Sequence, residues 1–489
     1  MTVPFNQVPS AIRVPFLYAE FDNKGAIQGP VNQPYRALMI GPKVAAGTAT
    51  ANVAVLVSSF EQAKTLFGQG SLLANMVDSF KKANTFQELW CLPVDDNGAG
   101  VAAAGDVTFS GAVTKAGTLS FYAAGKKIQI AVASGQSLAS IASDLNDEIA
   151  LAANADIMIT SVINVSPETL DFTAKNDGLS GNEIDLRFNY NSDDALPEGL
   201  AVAITPMAAG ATNPDLTAAI AAIDDKQYII GISAFADSAN RILLEAEMTS
   251  RFGPLLQNDG YFFYSSRGDL GSQVTVGSAL NSQFTIFVDV RGPEHGASQI
   301  SKIAGKVVAE GEIDPASPFQ NSETGILAPE ESERRPVVDR NTLLFNGIAT
   351  YKTSGDKVII ERVITTYQTS EAGADDVSYL DLNTLLTLSF LRFDWRNYML
   401  GKYPKHKLAN DGTRFSTGQK IMTPGLGKAE AIFKFEQWEL DGLVEGVDQF
   451  KESLIVERNS SDVNRLDFLM QPDVINQLRV MGTQIKFLL

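Results

Sequence analysis

Two histidines and a single cysteine among 489 residues mark what this chain has least of, and each scarcity removes a class of chemistry. With only His295 and His406, general acid–base catalysis near neutral pH has almost no material to work with. His295 lies in RGPEHGAS, just before an expected helix, with Glu294 beside it as a partner, yet Gly-Pro-Glu-His-Gly reads first as a turn. His406, in YPKHKLANDG, is flanked by lysines and reads as solvated or interfacial. Cys91 sits in the apolar run LWCLPV, as a small buried hydrophobe without the basic neighbour that would activate a thiol. One cysteine also excludes an intramolecular disulfide.

The motifs of nucleotide and acyl chemistry are missing as well. Gly231-Ile232-Ser233-Ala234-Phe235 lacks the second glycine of a nucleophile elbow. Gly125-Lys126 and Gly305-Lys306 are followed by Lys127 and Val307, so neither makes a phosphate loop, and Gly425 and Gly427 have no third glycine. The acidic pairs Asp95-Asp96, Asp193-Asp194 and Asp375-Asp376 stand in loops without metal-ligand spacing, and sequons at Asn164 and Asn459 matter little in a chain that is not secreted. No catalytic, cofactor-binding or metal-binding residue is assigned, and an enzyme is not expected. No apolar run approaches the roughly 18 residues that span a bilayer, and MTVPFNQVPSAIRVPF is not a signal peptide, so membrane insertion and export are not expected. A net charge of −18 argues against direct nucleic-acid contact and keeps free subunits soluble. If many copies pack together, that charge makes assembly salt-dependent.

What is present is enough apolar residue, 45%, for two to four domains. Residues 1–34 form a lead segment in which Ile12, Val14, Phe16 and Tyr18 recur at period two. Pro15 confines that strand to an edge of its own domain, or to an arm that joins a neighbour's sheet. Residues 35–94 read as the first part of an α/β domain. YRALMIG and QELWCLPV supply strands, Ser58 and Glu61 form a capping box, Gly68 closes one helix, and Leu73, Met76, Val77 and Phe80 line a second. Residues 95–199 read as an inserted small α+β domain with linkers DDNGAGVAAAG and NSDDALPEG. Its body, 106–190, has a hairpin, a helix on Leu138, Ile141, Leu145 and Ile149, and three further strands. Residues 200–340 resume the α/β pattern and end in a long polar loop from Asp314 to Arg340. Residues 341–489 start with a hairpin at Ser354, Gly355 and Asp356, continue in a helix over about 379–401, and end in strand-like segments. In the last of these Ile485, Phe487 and Leu489 alternate with polar residues. The expected fold class is α/β, a doubly wound mostly parallel sheet core with the small α+β insert and a C-terminal α+β assembly domain carrying extended terminal arms.

Several stretches, in order and spanning nearly the whole chain, resemble the Mu-like contractile phage tail sheath family. They are IRVPFLYAEFDN (12–23), PYRALMIG (34–41), SSFEQAKTLFGQGSLLANMVDSFKKAN (58–84), IIERVITTYQ (359–368), SYLDLNTLLTLSFLRFDWR (378–396) and YPKHKLANDGTRFSTGQKIMTPGLGKAEAI (403–432). The resemblance implies a structural subunit that stacks as rings in a helical polymer around an inner tail tube protein, in a virion tail assembled in the host cytoplasm. It implies baseplate and tail terminator proteins as further partners, no cofactor, and contraction driven by energy stored at assembly, which pushes the tube through the host envelope. It also implies terminal arms that complete a shared β-sheet with neighbouring C-terminal domains. That singles out Ile12, Val14, Phe16, Tyr18, Ile485, Phe487 and Leu489 as arm anchors, with Lys405, His406, Lys407 and Arg414 as tube-facing residues. The sheath of a bacterial contractile injection system or tailocin is the nearest rival reading. A cytosolic α/β enzyme and a non-contractile virion or surface protein are the others.

Overall fold

The computed structural model describes residues 33–488. The chain enters a central sheet through strands β1 (Ala37–Pro42), β2 (Val55–Leu56) and β3 (Leu89–Val94), with helices α1 (Phe60–Phe67) and α2 (Leu72–Ala83) between β2 and β3. Every residue of β1 is buried. A strand covered on both faces has no reason to alternate, which is why ALMIGP is nearly continuous in apolar character. The cap of α1 lies one residue beyond the expected Ser58. The Ser59 hydroxyl accepts from the Gln62 N–H, while the Gln62 side chain reaches back to the Ser58 N–H and hydroxyl. Gly68 ends the helix at φ 84°, a region that disfavours side chains.

An insert then leaves the sheet. Its elements are β4 (Ala102–Gly111), β5 (Gly117–Ala123), β6 (Lys126–Val132), α3 (Leu138–Ala150), β7 (Ile159–Ile163), β8 (Thr169–Asp177), β9 (Leu186–Phe188) and β10 (Leu200–Ala208). They form an antiparallel sheet in the order β10-β4-β8-β7 and a second in the order β6-β5-β9. Phe121 and Phe172 stack at 5.3 Å between them. Two expectations change here. The first polar linker ends early, because Ala102–Gly105 already belongs to β4. The second, 191–199, does not lead back to the α/β layer: Gly199 turns the chain onto β4, and Leu200 to Thr205 pair with Gly111 to Asp106. An alternating strand shows its period but not which sheet it will join.

The central layer resumes with α4 (Thr217–Ala221), β11 (Ile230–Ser233), α5 (Ser238–Phe252), β12 (Tyr261–Ser266), α6 (Leu270–Ser278), β13 (Thr285–Asp289), α7 (Gly296–Ile313), α8 (Val337–Leu344), β14 (Ile348–Ser354) and β15 (Lys357–Arg362). The eight strands order as β15-β14-β13-β12-β11-β1-β3-β2. The pairings from β14 through to β3 are parallel, and only β15 and β2 run antiparallel at the edges. Gly231 is required in β11, since a Cβ there would run into the Phe262 ring. The hairpin at Ser354–Asp356, expected in the C-terminal section, completes this sheet instead, and α8 begins inside the stretch expected as loop, with Pro336 at its N-cap.

The last part comprises α9 (Leu382–Lys402), β16 (Lys407–Leu408), β17 (Ile421–Met422), α10 (Pro424–Leu440), β18 (Val444–Glu445), α11 (Val447–Ser453), β19 (Ile455–Arg458), β20 (Leu466–Leu469) and β21 (Asp473–Val474). The first four residues of FKESLIVERN are therefore the end of α11. The protein is a mixed α/β structure of several sheets with two hydrophobic cores. The insert and central layer share one, and Leu391, Ala431, Phe435, Trp438, Phe450 and Leu454 form the other. Helix α9 reaches both, burying Leu382, Leu385 and Leu386 in the first and Leu391 in the second. Among the described residues no helix is long and apolar enough to cross a membrane.

Candidate assembly surface

His295 has a structural assignment. Its Nδ1 accepts from the Ala297 N–H at 3.1 Å and caps α7, which leaves Nε2–H to donate to the Ser180 carbonyl of the insert at 2.9 Å. Burial pushes its pKa below the usual histidine value. Glu294 pairs with Lys302 at 2.5 Å rather than with the histidine. The residue pins the insert to the central layer and has no route to an acid–base role.

The polar segment after α9 carries the four residues expected to be tube-facing. Lys405, Lys407 and Arg414 are exposed and His406 is half-buried, with residues 411–420 all exposed. His406 meets the Tyr403 ring edge-on at 4.8 Å, and Lys407 Nζ donates to Gln419 at 2.7 Å. The segment is rooted on Glu430 of α10. Lys402 Nζ donates to that carboxylate at 2.7 Å and Tyr403 at 2.5 Å, and Tyr398 also donates. Burial works against the charge of Glu430, but these three donors outweigh it and hold its pKa below the usual carboxylate range.

Beside this root stands the β19–β20 hairpin, pinched by an Asn459 turn whose side-chain oxygen accepts from the Ser461 and Asp462 N–H groups. Phe468 faces inward and meets Trp395 at 5.4 Å, while the cross-strand pair Ile455 and Leu469 faces out, each about half exposed. Both outer edges of this two-stranded ladder are unpaired among the described residues. An isolated pair of strands is marginal in water, and open edges are templates for further strands.

The C-terminal segment runs past this region. β21 pairs with β18, Ile475 N–H donates to Leu443, and Gln320 donates to the Leu478 carbonyl at 3.1 Å. Beyond Arg479 the chain has no hydrogen bond to any described residue. Residues 480–488 form neither helix nor strand and are exposed, with Ile485 83% and Phe487 78% accessible. Of the expected arm anchors, Ile12, Val14, Phe16, Tyr18 and Leu489 lie outside the described residues. Sequence reading missed α10, although Thr423-Pro424 is an N-cap followed by proline at the first helical position. It also missed Arg479, which carries no local signal because its partners are about 100 positions away.

Residues 374–487 match the family described as the phage tail sheath C-terminal domain. Over 491 aligned residues, covering 100% of both chains, the sequence is 40% identical to the Mu-like prophage FluMu tail sheath protein of Haemophilus influenzae. Among solved structures, the sheath tail protein of Desulfitobacterium hafniense is similar at 11% identity and TM-score 0.48, covering 94% of this chain and 100% of that one. The sheath complex of an extracellular contractile injection system in its contracted state is similar at 8% identity and TM-score 0.49, covering 98% of each chain.

Proposed function

The chain belongs to the Mu-like tail sheath protein family, structural subunits and not enzymes, and from that premise we propose that it polymerises helically around an inner tail tube and shortens to drive that tube through a host envelope. The observation that carries the reading to single residues is the exposed, unpaired segment 480–488 at the end of the matched C-terminal domain. Ile485 and Phe487 stand two positions apart, a spacing that would put both on one face of an added strand, and a backbone without described hydrogen-bond partners supplies what strand addition requires.

In this proposal Ile485, Phe487 and Leu489 add to the open edges of a neighbour's β19–β20 hairpin, with Ile12, Val14, Phe16 and Tyr18 of residues 1–34 joining from another copy. A tail sheath of the virion then forms between baseplate and tail terminator proteins. Burying each large apolar side chain contributes about 1.5–3 kcal/mol, enough for a joint repeated at every subunit to hold while the bodies rotate. Head-to-tail contacts of this kind do not close on themselves and generate helical tubes. Lys405, His406, Lys407 and Arg414 are proposed to face the inner tube, on the strength of the exposure and positive charge of Lys405, Lys407 and Arg414, with half-buried His406 between the two lysines.

Electron microscopy of the purified protein tests the reading: hollow striated tubes are expected, and soluble monomer after deletion of residues 1–20. Compact particles from the intact chain contradict polymerisation, and full-length tubes from the truncated chain contradict the N-terminal arm. A tube–sheath cross-linking map lacking residues 403–440 removes the tube-facing assignment.

A further inference from the structure

Among the described residues Arg479 is the last with a hydrogen bond to the body, and the socket that receives it is built from three other elements. Its Nη2 donates to Asp381 Oδ1 at 3.1 Å and to Asn383 Oδ1 at 2.9 Å. Both acceptors are fixed independently. Arg362, at the end of edge strand β15, grips Asp381 with two bonds of 2.9 and 2.7 Å. Asn383 is fully buried and donates its amide to the Pro315 and Ser317 carbonyls at 3.0 and 2.6 Å, which turns its oxygen toward Arg479.

Asp381 is also the N-cap residue of α9, yet its side chain makes no capping hydrogen bond. A carboxylate at that position ordinarily stabilises its helix by accepting from the first-turn N–H groups. Here the carboxylate serves two guanidinium groups instead. From 476 to 480 the chain alternates, with Gln477 and Arg479 facing the body and Asn476, Leu478 and Val480 facing out. Leu478 is held through its carbonyl by Gln320, and the next residue by the socket.

We propose that Arg479 is a positioning residue for assembly, clasped by Asp381 and Asn383 so that the C-terminal arm leaves the subunit from one fixed point. The inference rests on the reading of residues 480–488 as an arm. The clasp orders the arm's root before a neighbour is met, so that strand addition has only the free residues left to order. It also passes any pull on the arm to β15 through Arg362 and to α9 through Asp381.

The test compares the intact chain, Arg479→Ala, Arg479→Lys and a chain ending at Arg479, by the critical concentration for tube formation and the thermal midpoint of the unassembled subunit. Arg479→Ala is expected to raise the critical concentration at least about tenfold, the equivalent of about 1.4 kcal/mol, with subunit melting little changed. Arg479→Lys, which keeps the charge, is expected to restore part of the loss. Nitroxide labels on Ser354→Cys and Val480→Cys give a second readout, because Cys91 is buried and its thiol pKa is pushed up, so it stays unlabelled. Their distance distribution is expected to broaden in unassembled Arg479→Ala. Unchanged assembly and an unchanged distribution in Arg479→Ala, with the shortened chain failing to assemble, overturn the clasp and leave the arm intact. Normal tubes from the shortened chain overturn the arm, and the clasp with it.

Discussion

Replacing Asp394 by alanine removes the one carboxylate at the centre of the second core, and its effect follows from three contacts. Asp394 is 6% exposed, accepts from the Trp438 indole N–H at 2.6 Å, and pairs with Lys434 Nζ at 2.6 Å. These bonds tie α9 to α10, since the carboxylate stands on one helix and both donors on the other. Without it a nearly buried ammonium has lost its partner anion, which typically costs about 3–5 kcal/mol. The indole N–H is stranded in the same place, at about 1–3 kcal/mol. Both losses share one hole and do not add, so about 4 kcal/mol is expected for this core. With a urea slope near 2 kcal/mol per molar, the unfolding midpoint drops by about 2 M.

Fluorescence reads this directly. Two of the three tryptophans, Trp395 and Trp438, sit in the second core, so in a Trp90→Phe background emission reports that core alone. Far-UV circular dichroism follows the whole chain. The expected result is a fluorescence transition about 2 M earlier, separated from a later dichroism step for the insert and central layer. Asp394→Asn, whose amide oxygen still accepts from the indole, should shift the midpoint less. A shift under about 0.5 M, or two signals that move together as one transition, refutes the claim that this core stands on its own pair of helices.

Ile485→Ala and Phe487→Ala should each raise the critical concentration for tube formation about tenfold or more, from about 1.5–3 kcal/mol of lost burial. Both side chains are largely exposed in the single subunit, so its melting should not move, and light scattering against concentration separates the two effects. His295 predicts a pH dependence. Its folded pKa lies below its ordinary 6.5, so below about pH 6.5 the unfolded chain takes up a proton that the native chain resists. Stability should fall as pH drops through that value, and His295→Asn should flatten the slope of urea midpoints between pH 7 and 5. An unchanged slope places the titration elsewhere.

The central layer was legible because its strands are buried on both faces and its helices are amphipathic, so two different periods alternate along the chain. What stayed hidden depended on distance in sequence. β10 shows alternation from Leu200 to Ile204, but nothing local says that its partner is β4, about 95 residues earlier. The same limit concealed Arg479, whose side chain is unremarkable until Asp381 and Asn383 are placed beside it. The cap at α1 stayed open for a local reason: Ser58 and Ser59 are chemically equal, and only the backbone turn chooses between them.

The arm shows a different limit. Alternation over TQIKFLL predicts a strand, and the structure has none over its described residues 483–488, where Ile485 and Phe487 stand exposed. A strand is a property of two backbones, and this chain supplies one of them. Its own β19–β20 hairpin is the complementary case, a ladder of two with both edges unmet among the described residues. Joining one copy's segment to another copy's hairpin would bury Ile485 and Phe487 and close an edge that is a liability on a solitary subunit. In the proposed assembly the alternation in the last residues would be met by a neighbour's backbone, and among the described residues no strand forms there.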